Sequence, residues 1–326
     1  MKKIFITGGA GYVGSKLVPK LLDLGYKVTV LDLMIYGADV LLNHDKLKKV
    51  KGDIRDKNLL EKIIPGHDVL IHLACISNDP SFELNPTLGK SINYDAFEPM
   101  VKISKKNNIN KFIYASSSSV YGIKKEKNVT EDMSLEPLTD YSKFKADCEK
   151  ILNNYKSEDF ITTTIRPSTV CGYAKRQRLD LVVNILTNHA FHNREIKVFG
   201  GDQLRPNVHI DDMVDSYLAI LNAESKKVNG QIFNVGYRNQ SVNELAEDVK
   251  KVIGSDISIV NTKSDDNRSY HVSSEKIKDI LGFETKYTVK DAVTDLKNAF
   301  EKKLLTNTFN DEFFFNIKRM NNINLR

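Results

Sequence analysis

The chain has 326 residues, 41% hydrophobic and 28% charged, which suits a soluble globular protein with one large α/β unit and a smaller second lobe. The formal charge of +6 comes from lysines interleaved with acids, so it excludes a compact basic stripe for nucleic acid while leaving room for a polyanionic small substrate. The longest apolar runs are strand-sized and the three cysteines (Cys75, Cys148, Cys171) lack metal-ligand spacing, so we expect a cytoplasmic protein with no signal peptide, no membrane partner and no metal.

In chain order, Lys3–Ile6 reads as a first strand, followed at once by Thr7-Gly8-Gly9-Ala10-Gly11-Tyr12-Val13-Gly14. Gly8, Gly11 and Gly14 keep a three-residue spacing between a strand and a helix. Backbone without side chains can turn tightly there, and free N–H groups at the helix start meet a dinucleotide pyrophosphate. The helix is expected from Gly14 to Leu24, with Val13, Leu17, Leu21 and Leu24 on one face, a bend at Pro19 and an end at Gly25. Val28–Leu31 forms a second strand ending at Asp32, 18 residues after Gly14. A carboxylate there accepts hydrogen bonds from the ribose hydroxyls of NAD and repels the extra phosphate of NADP; Leu33 and Met34 offer no arginine to offset that repulsion.

Further strands at Val69–His72, Lys111–Tyr114 and Ile161–Ile165 alternate with helical segments, the pattern of a doubly wound parallel sheet. After Arg166-Pro167 the alternation breaks. The expected division is a cofactor domain of 1–167 plus about 208–235, and a substrate lobe of 168–207 plus about 236–326. The tail from about 301 carries Phe313-Phe314-Phe315-Asn316-Ile317, too aromatic for a free end, and should pack on the body or on a partner subunit.

Tyr141 and Lys145 stand one helical turn apart, on one face. A tyrosine titrates near ~10 in water, and an adjacent ammonium draws that value down toward a useful base. Upstream, Ser116-Ser117-Ser118-Ser119-Val120-Tyr121-Gly122 follows a strand and supplies hydroxyls that can orient a substrate alcohol. His189 and His192 sit three apart without further ligands, which fits a solvated helix face better than a metal site.

These elements resemble an extended short-chain dehydrogenase/reductase, of the NAD-dependent nucleotide-sugar epimerase/dehydratase type, over about positions 1–300. The resemblance rests on Thr7 to Gly14, Asp32, Gly52-Asp53-Ile54-Arg55-Asp56, His72-Leu73-Ala74-Cys75, Asn93, the serine run, Tyr141 with Lys145, and Arg166-Pro167. It implies a Rossmann α/β fold with a smaller, less regular C-terminal substrate lobe. It implies NAD held by Gly8, Gly11, Tyr12, Val13, Gly14, Asp32, Asp53, Ile54, Leu73, Ala74, Cys75, Asn93, Tyr141, Lys145 and Arg166. Tyr141, Lys145 and Ser117 would be catalytic. Ser117, Ser118, Ser119, Thr169, Asp180, Phe199, Arg205 and Arg268 would face a nucleotide-diphosphate sugar, the two arginines on its diphosphate. A homodimer is implied too, through the helix near 92–107 and the one carrying Tyr141.

Departures from the pattern narrow the reaction. The 4,6-dehydratases of this type carry an Asp-Glu pair where Ser118 and Ser119 stand, and the sugar-acid decarboxylases keep a glutamate at the position of Ser119. Two NAD-based options remain. One is epimerisation, typically at carbon 4 through a keto intermediate. The alternative is a 4-dehydrogenase that releases the keto sugar. Thr169 and Asp180 replace asparagines of the 4-epimerases, and Arg176-Gln177-Arg178-Leu179-Asp180-Leu181 resembles enzymes acting on unusual sugars such as activated heptoses. Epimerisation is the favoured expectation. A non-catalytic NAD-binding regulator is disfavoured, because Tyr141, Lys145 and Ser117 are all present.

Overall fold

The computed structural model describes residues 2–126, 128–263 and 271–326. Seven strands form the main sheet: β1 (Lys3–Thr7), β2 (Lys27–Asp32), β3 (Leu47–Lys51), β4 (Val69–His72), β5 (Lys111–Ala115), β6 (Ile161–Pro167) and, from later in the chain, Gln231–Val235. All pairings are parallel, and the order runs Gln231–Val235, β6, β5, β4, β1, β2, β3. The winding direction reverses between β1 and β4, so the loops after these two strands diverge to opposite faces and open a crevice at their C-terminal ends.

β1, β4 and β5 are apolar on both faces, as central parallel strands must be. On one face Ile4, Ile6, Val30 and Ile71 pack with Leu17 and Leu21 of the helix Gly14–Asp23 and with Met213 and Tyr217 of Ile210–Asn222. On the other, Phe5, Leu70, Phe112 and Tyr114 pack with Phe97 and Met100 of Phe97–Lys106 and with Tyr141 and Leu152 of Asp140–Tyr155. The first helix runs through Pro19 without breaking. β3 was not anticipated. Its Leu-Lys-Lys-Val-Lys sequence suits an edge strand, where lysines discourage further pairing.

Beyond β6 the chain forms two small sheets. β7 (Thr169–Cys171), β9 (Leu204–His209) and β11 (Arg238–Ser241) make one, and β8 (Glu195–Phe199) pairs in parallel with β12 (Ser258–Thr262) in the other, the numbering counting Gln231–Val235 as β10. Helices Val182–Asn193, Val242–Ile253 and Val289–Glu301 enclose a core that includes Val183, Leu245, Val249 and Val293. Among the described residues no helix is long and apolar enough to cross a membrane.

The tail folds back. Phe314 and Phe315 pack with Leu179, Phe300 and Leu305. The last helix, Asn316–Asn322, then crosses to the larger body, where Met320 is buried in the core that holds Phe5 and Tyr141. Arg319 Nε donates to the Ile35 carbonyl at 2.5 Å, and Arg55 Nη2 donates to the Arg326 carbonyl at 2.8 Å.

Candidate active site

The crevice between β1 and β4 opens into a cavity of about 530 Å³. Its floor is the turn after β1, where Gly8, Gly11, Tyr12, Val13 and Gly14 line the wall. Gly8 has φ +73°, and a Cβ there would lie 2.5 Å from the Ala74 nitrogen. A Cβ on Gly14 would collide with the Gly9 carbonyl. The turn therefore needs bare backbone in order to pack against the β4 loop.

Asp32 lines the cavity at the end of β2, its carboxylate accepting from the N–H groups of Ala10 at 3.0 Å and Met34 at 2.8 Å. Burial raises its pKa, and the two N–H donors oppose that shift. Asp53 and Ile54 line the same end. Burial pushes Asp53 up, but the Arg55 guanidinium prevails and holds the carboxyl below its usual range. Leu73, Ala74 and Cys75, from the loop after β4, form the wall that faces the glycine turn. Bare backbone at the turn, the engaged carboxylate and the enclosed shape fit an adenine dinucleotide.

At the other end stand Ser117, Ser118, Ser119, Tyr141 and Lys145. Thr139 caps the helix Asp140–Tyr155, and this fixes Tyr141 in the first turn. Ser117 Oγ lies 2.9 Å from Ser119 Oγ and accepts from Ser119 N at 3.1 Å. Lys145 Nζ donates to the Ala115 carbonyl at 2.6 Å and lies 5.9 Å from the Tyr141 ring centroid. Burial drives the Tyr141 phenol well above its ordinary value, aided by Cys75 and Asp79; the Asn78 N–H and the Ser117 hydroxyl pull the other way. Burial is the largest influence on the phenol, and the Lys145 ammonium is turned toward the Ala115 carbonyl.

Thr169, Asp180 and Arg205 line the side formed by the smaller lobe. Asp180 is already engaged, accepting from Arg178 Nε at 2.8 Å and from Asn316 N at 3.1 Å. Three expected residues are not on the wall. Asn93 instead grips the loop after β4, accepting from Ile76 N at 2.8 Å and donating to its carbonyl at 2.9 Å. Arg166 points into the core, where it pairs with Glu149 at 2.6 Å and donates to Tyr121 Oη at 2.7 Å, so its expected cofactor contact is replaced by a buried support. Phe199 is 56% exposed at the end of β8, away from the cavity. Arg268 lies outside the described residues.

The cavity also holds Tyr36, Ser77, Asn78 and Met320, which no motif singled out, together with Arg176 and Arg178 of the Arg176–Leu181 segment and Asn316 of the aromatic tail. Asn78 has φ +73° and accepts through its side chain from Ser81 N, which holds the loop beside Tyr141. His189 and His192 stack edge-on against Phe309.

The architecture and site are those of a dinucleotide-dependent enzyme. The chain belongs to the NAD dependent epimerase/dehydratase family, whose model matches residues 4–236. A UDP-glucose 4-epimerase of Lactobacillus helveticus is 28% identical over 89% of this chain and 94% of its own. A UDP-N-acetyl-alpha-D-glucosaminuronate decarboxylase of Bacillus cytotoxicus is 30% identical over 91% of each. The crystal structure of a UDP-glucose 4-epimerase from Thermotoga maritima with UDP-glucose superimposes with a TM-score of 0.84 at 26% identity, covering 93% of this chain and 100% of that one. The chain is therefore an NAD-dependent enzyme with a Rossmann sheet.

Proposed function

We propose that the protein epimerises a nucleotide-diphosphate sugar at carbon 4 of the sugar, in the cytoplasm, on a route to a polysaccharide. The observation that carries this is Tyr141 and Ser117 facing one cavity with Asp32 and the glycine turn at its far end. NAD, when bound, supplies the acceptor and donor of hydride. Tyr141 Oη takes the proton of the sugar hydroxyl as oxidation proceeds and returns it on reduction, while Ser117 Oγ holds the same oxygen in line. Lys145 secures the helix against Ala115 and places a positive charge next to the developing phenolate. Residues 1–167 and about 208–235 would carry the cofactor, and 168–207 with much of 236–326 the nucleotide sugar, with Arg205 near the diphosphate.

Ser118 and Ser119 stand where water elimination or decarboxylation would call for carboxylates, which supports epimerisation over the chemistry of the decarboxylase relative. The test incubates purified protein with UDP-, GDP-, dTDP- and CDP-sugars while NADH absorbance and product NMR are followed. A new stereoisomer without net NADH is expected. Stoichiometric NADH with a keto sugar would instead establish the dehydrogenase. Tyr141→Phe should abolish turnover and leave NAD binding intact; retained turnover would remove the tyrosine from its role.

We further propose a homodimer through the paired helices Phe97–Lys106 and Asp140–Tyr155, where half-buried Phe144 of the second helix meets half-buried Tyr94 with ring centroids 5.1 Å apart. Light scattering at micromolar protein should give twice the chain mass, and the chain mass alone would refute it.

A further inference from the structure

Opposite the glycine turn, the segment after β7 pushes two arginines into the cofactor cavity. Arg176 is only 3% exposed and Arg178 7%. The segment is tied to the turn itself: Arg176 N donates to Ser15 Oγ at 3.3 Å, Ser15 Oγ donates to the Tyr12 carbonyl at 2.9 Å, and Tyr12 Oη donates to the Gly172 carbonyl at 2.6 Å. Both guanidinium groups are held in place. Arg176 lies 3.6 Å over the Tyr36 ring and donates through Nη2 to Asn316 Oδ1 at 2.6 Å. Arg178 donates through Nε to Asp180 and through Nη1 to Ser77 Oγ at 3.2 Å. Yet Arg176 Nε and Arg178 Nη2 are buried with no acceptor among the described residues.

A guanidinium cannot shed its charge, and a buried N–H left unpaired is destabilising. Asp180 accepts from Arg178 and Asp32 lies within electrostatic reach of Arg176, yet neither carboxylate reaches Arg176 Nε or Arg178 Nη2. An anion lying between the arginines and the glycine turn would satisfy both unpaired donors. We propose that Arg176 and Arg178 form a side-chain clamp on the NAD pyrophosphate, closing over it from the side opposite Gly11–Gly14, with Asn316 of the tail fixing Arg176 in position. The forked donors match phosphate oxygens, and the clamp links cofactor retention to the smaller lobe and to the last helix. This depends on NAD as the cofactor and not on which sugar reaction follows.

The test compares wild type with Arg176→Met, Arg178→Met, the double variant and Asn316→Ala. It measures the NAD retained per chain after purification, and the affinities of stripped protein for NAD, adenosine and UDP by calorimetry. Each arginine change is expected to weaken NAD about ten- to a hundred-fold, and Asn316→Ala about threefold or more, while adenosine and UDP change by less than about twofold. Unaltered NAD affinity in the double variant would overturn the clamp. So would equal weakening of NAD and adenosine, which would mean a structural role only. Weakened UDP with NAD unchanged would assign the arginines to the substrate diphosphate and also end the proposal. If the methionine variants do not fold, Arg176→Lys and Arg178→Lys are measured under the same criteria. These keep the charge and lose the fork, so a clamp predicts a partial loss for NAD alone.

Discussion

Tyr141, Lys145 and Ser117 lie far apart in sequence, yet all line one wall of the cavity. The type and spacing of these residues carry that information. Arg166 shows the limit. It is the penultimate residue of a strand buried on both faces, so alternation cannot tell which way its side chain points. It turns inward to Glu149, and both side chains are under 5% exposed. Arg166→Met would leave the Glu149 carboxylate buried without its partner, at a cost of about 3–5 kcal/mol. Urea unfolding should register that loss, and a change below about 1 kcal/mol would refute it. Glu149 also accepts from Ser116, at the head of the serine run, so the same variant should lower turnover by loosening Ser117.

Among the elements, the strand–turn–helix at the N-terminus was legible because local sequence dictates it: apolar residues, three glycines, then a helical face. β3 escaped because three of its five residues are lysines, which carry no apolar signal at an edge. The aromatic run Phe313–Phe315, just before the last helix, announces a packed tail but not where it packs. The partner surface is assembled from Ile35, Ser77 and Asp180, distant positions that only folding brings together. Ending the chain before Asn316 should therefore speed NAD release without disrupting the sheet. Stopped-flow displacement of NADH should show at least a tenfold faster off-rate. An unchanged rate with an unchanged far-UV spectrum would mean that the tail does not secure the cofactor.

For the whole molecule, pH offers a test of the packing. Burial raises the phenols of Tyr12, Tyr114, Tyr141 and Tyr217 well above the usual tyrosine range and pushes Tyr121 up to about 12. In the unfolded chain these groups ionise near ~10, so above that pH the native state binds more protons than the unfolded state. Their contribution is fully present at neutral pH and is lost as pH climbs past about 10. Thermal melts should show a midpoint that falls steeply beyond that point; a flat profile to pH 11 would contradict the burial.

The parallel sheet and the glycine turn after its first strand are legible in the sequence because short-range spacing encodes them, and the chemistry of single side chains names Asp32 and Tyr141 as candidates. Only the assembled chain settles which groups share the cavity, that burial is the largest influence on the Tyr141 phenol, and that Arg176, Arg178 and Asn316 meet beside the glycine turn. Burial and long-range contact are properties of the assembled chain, and no local pattern encodes them.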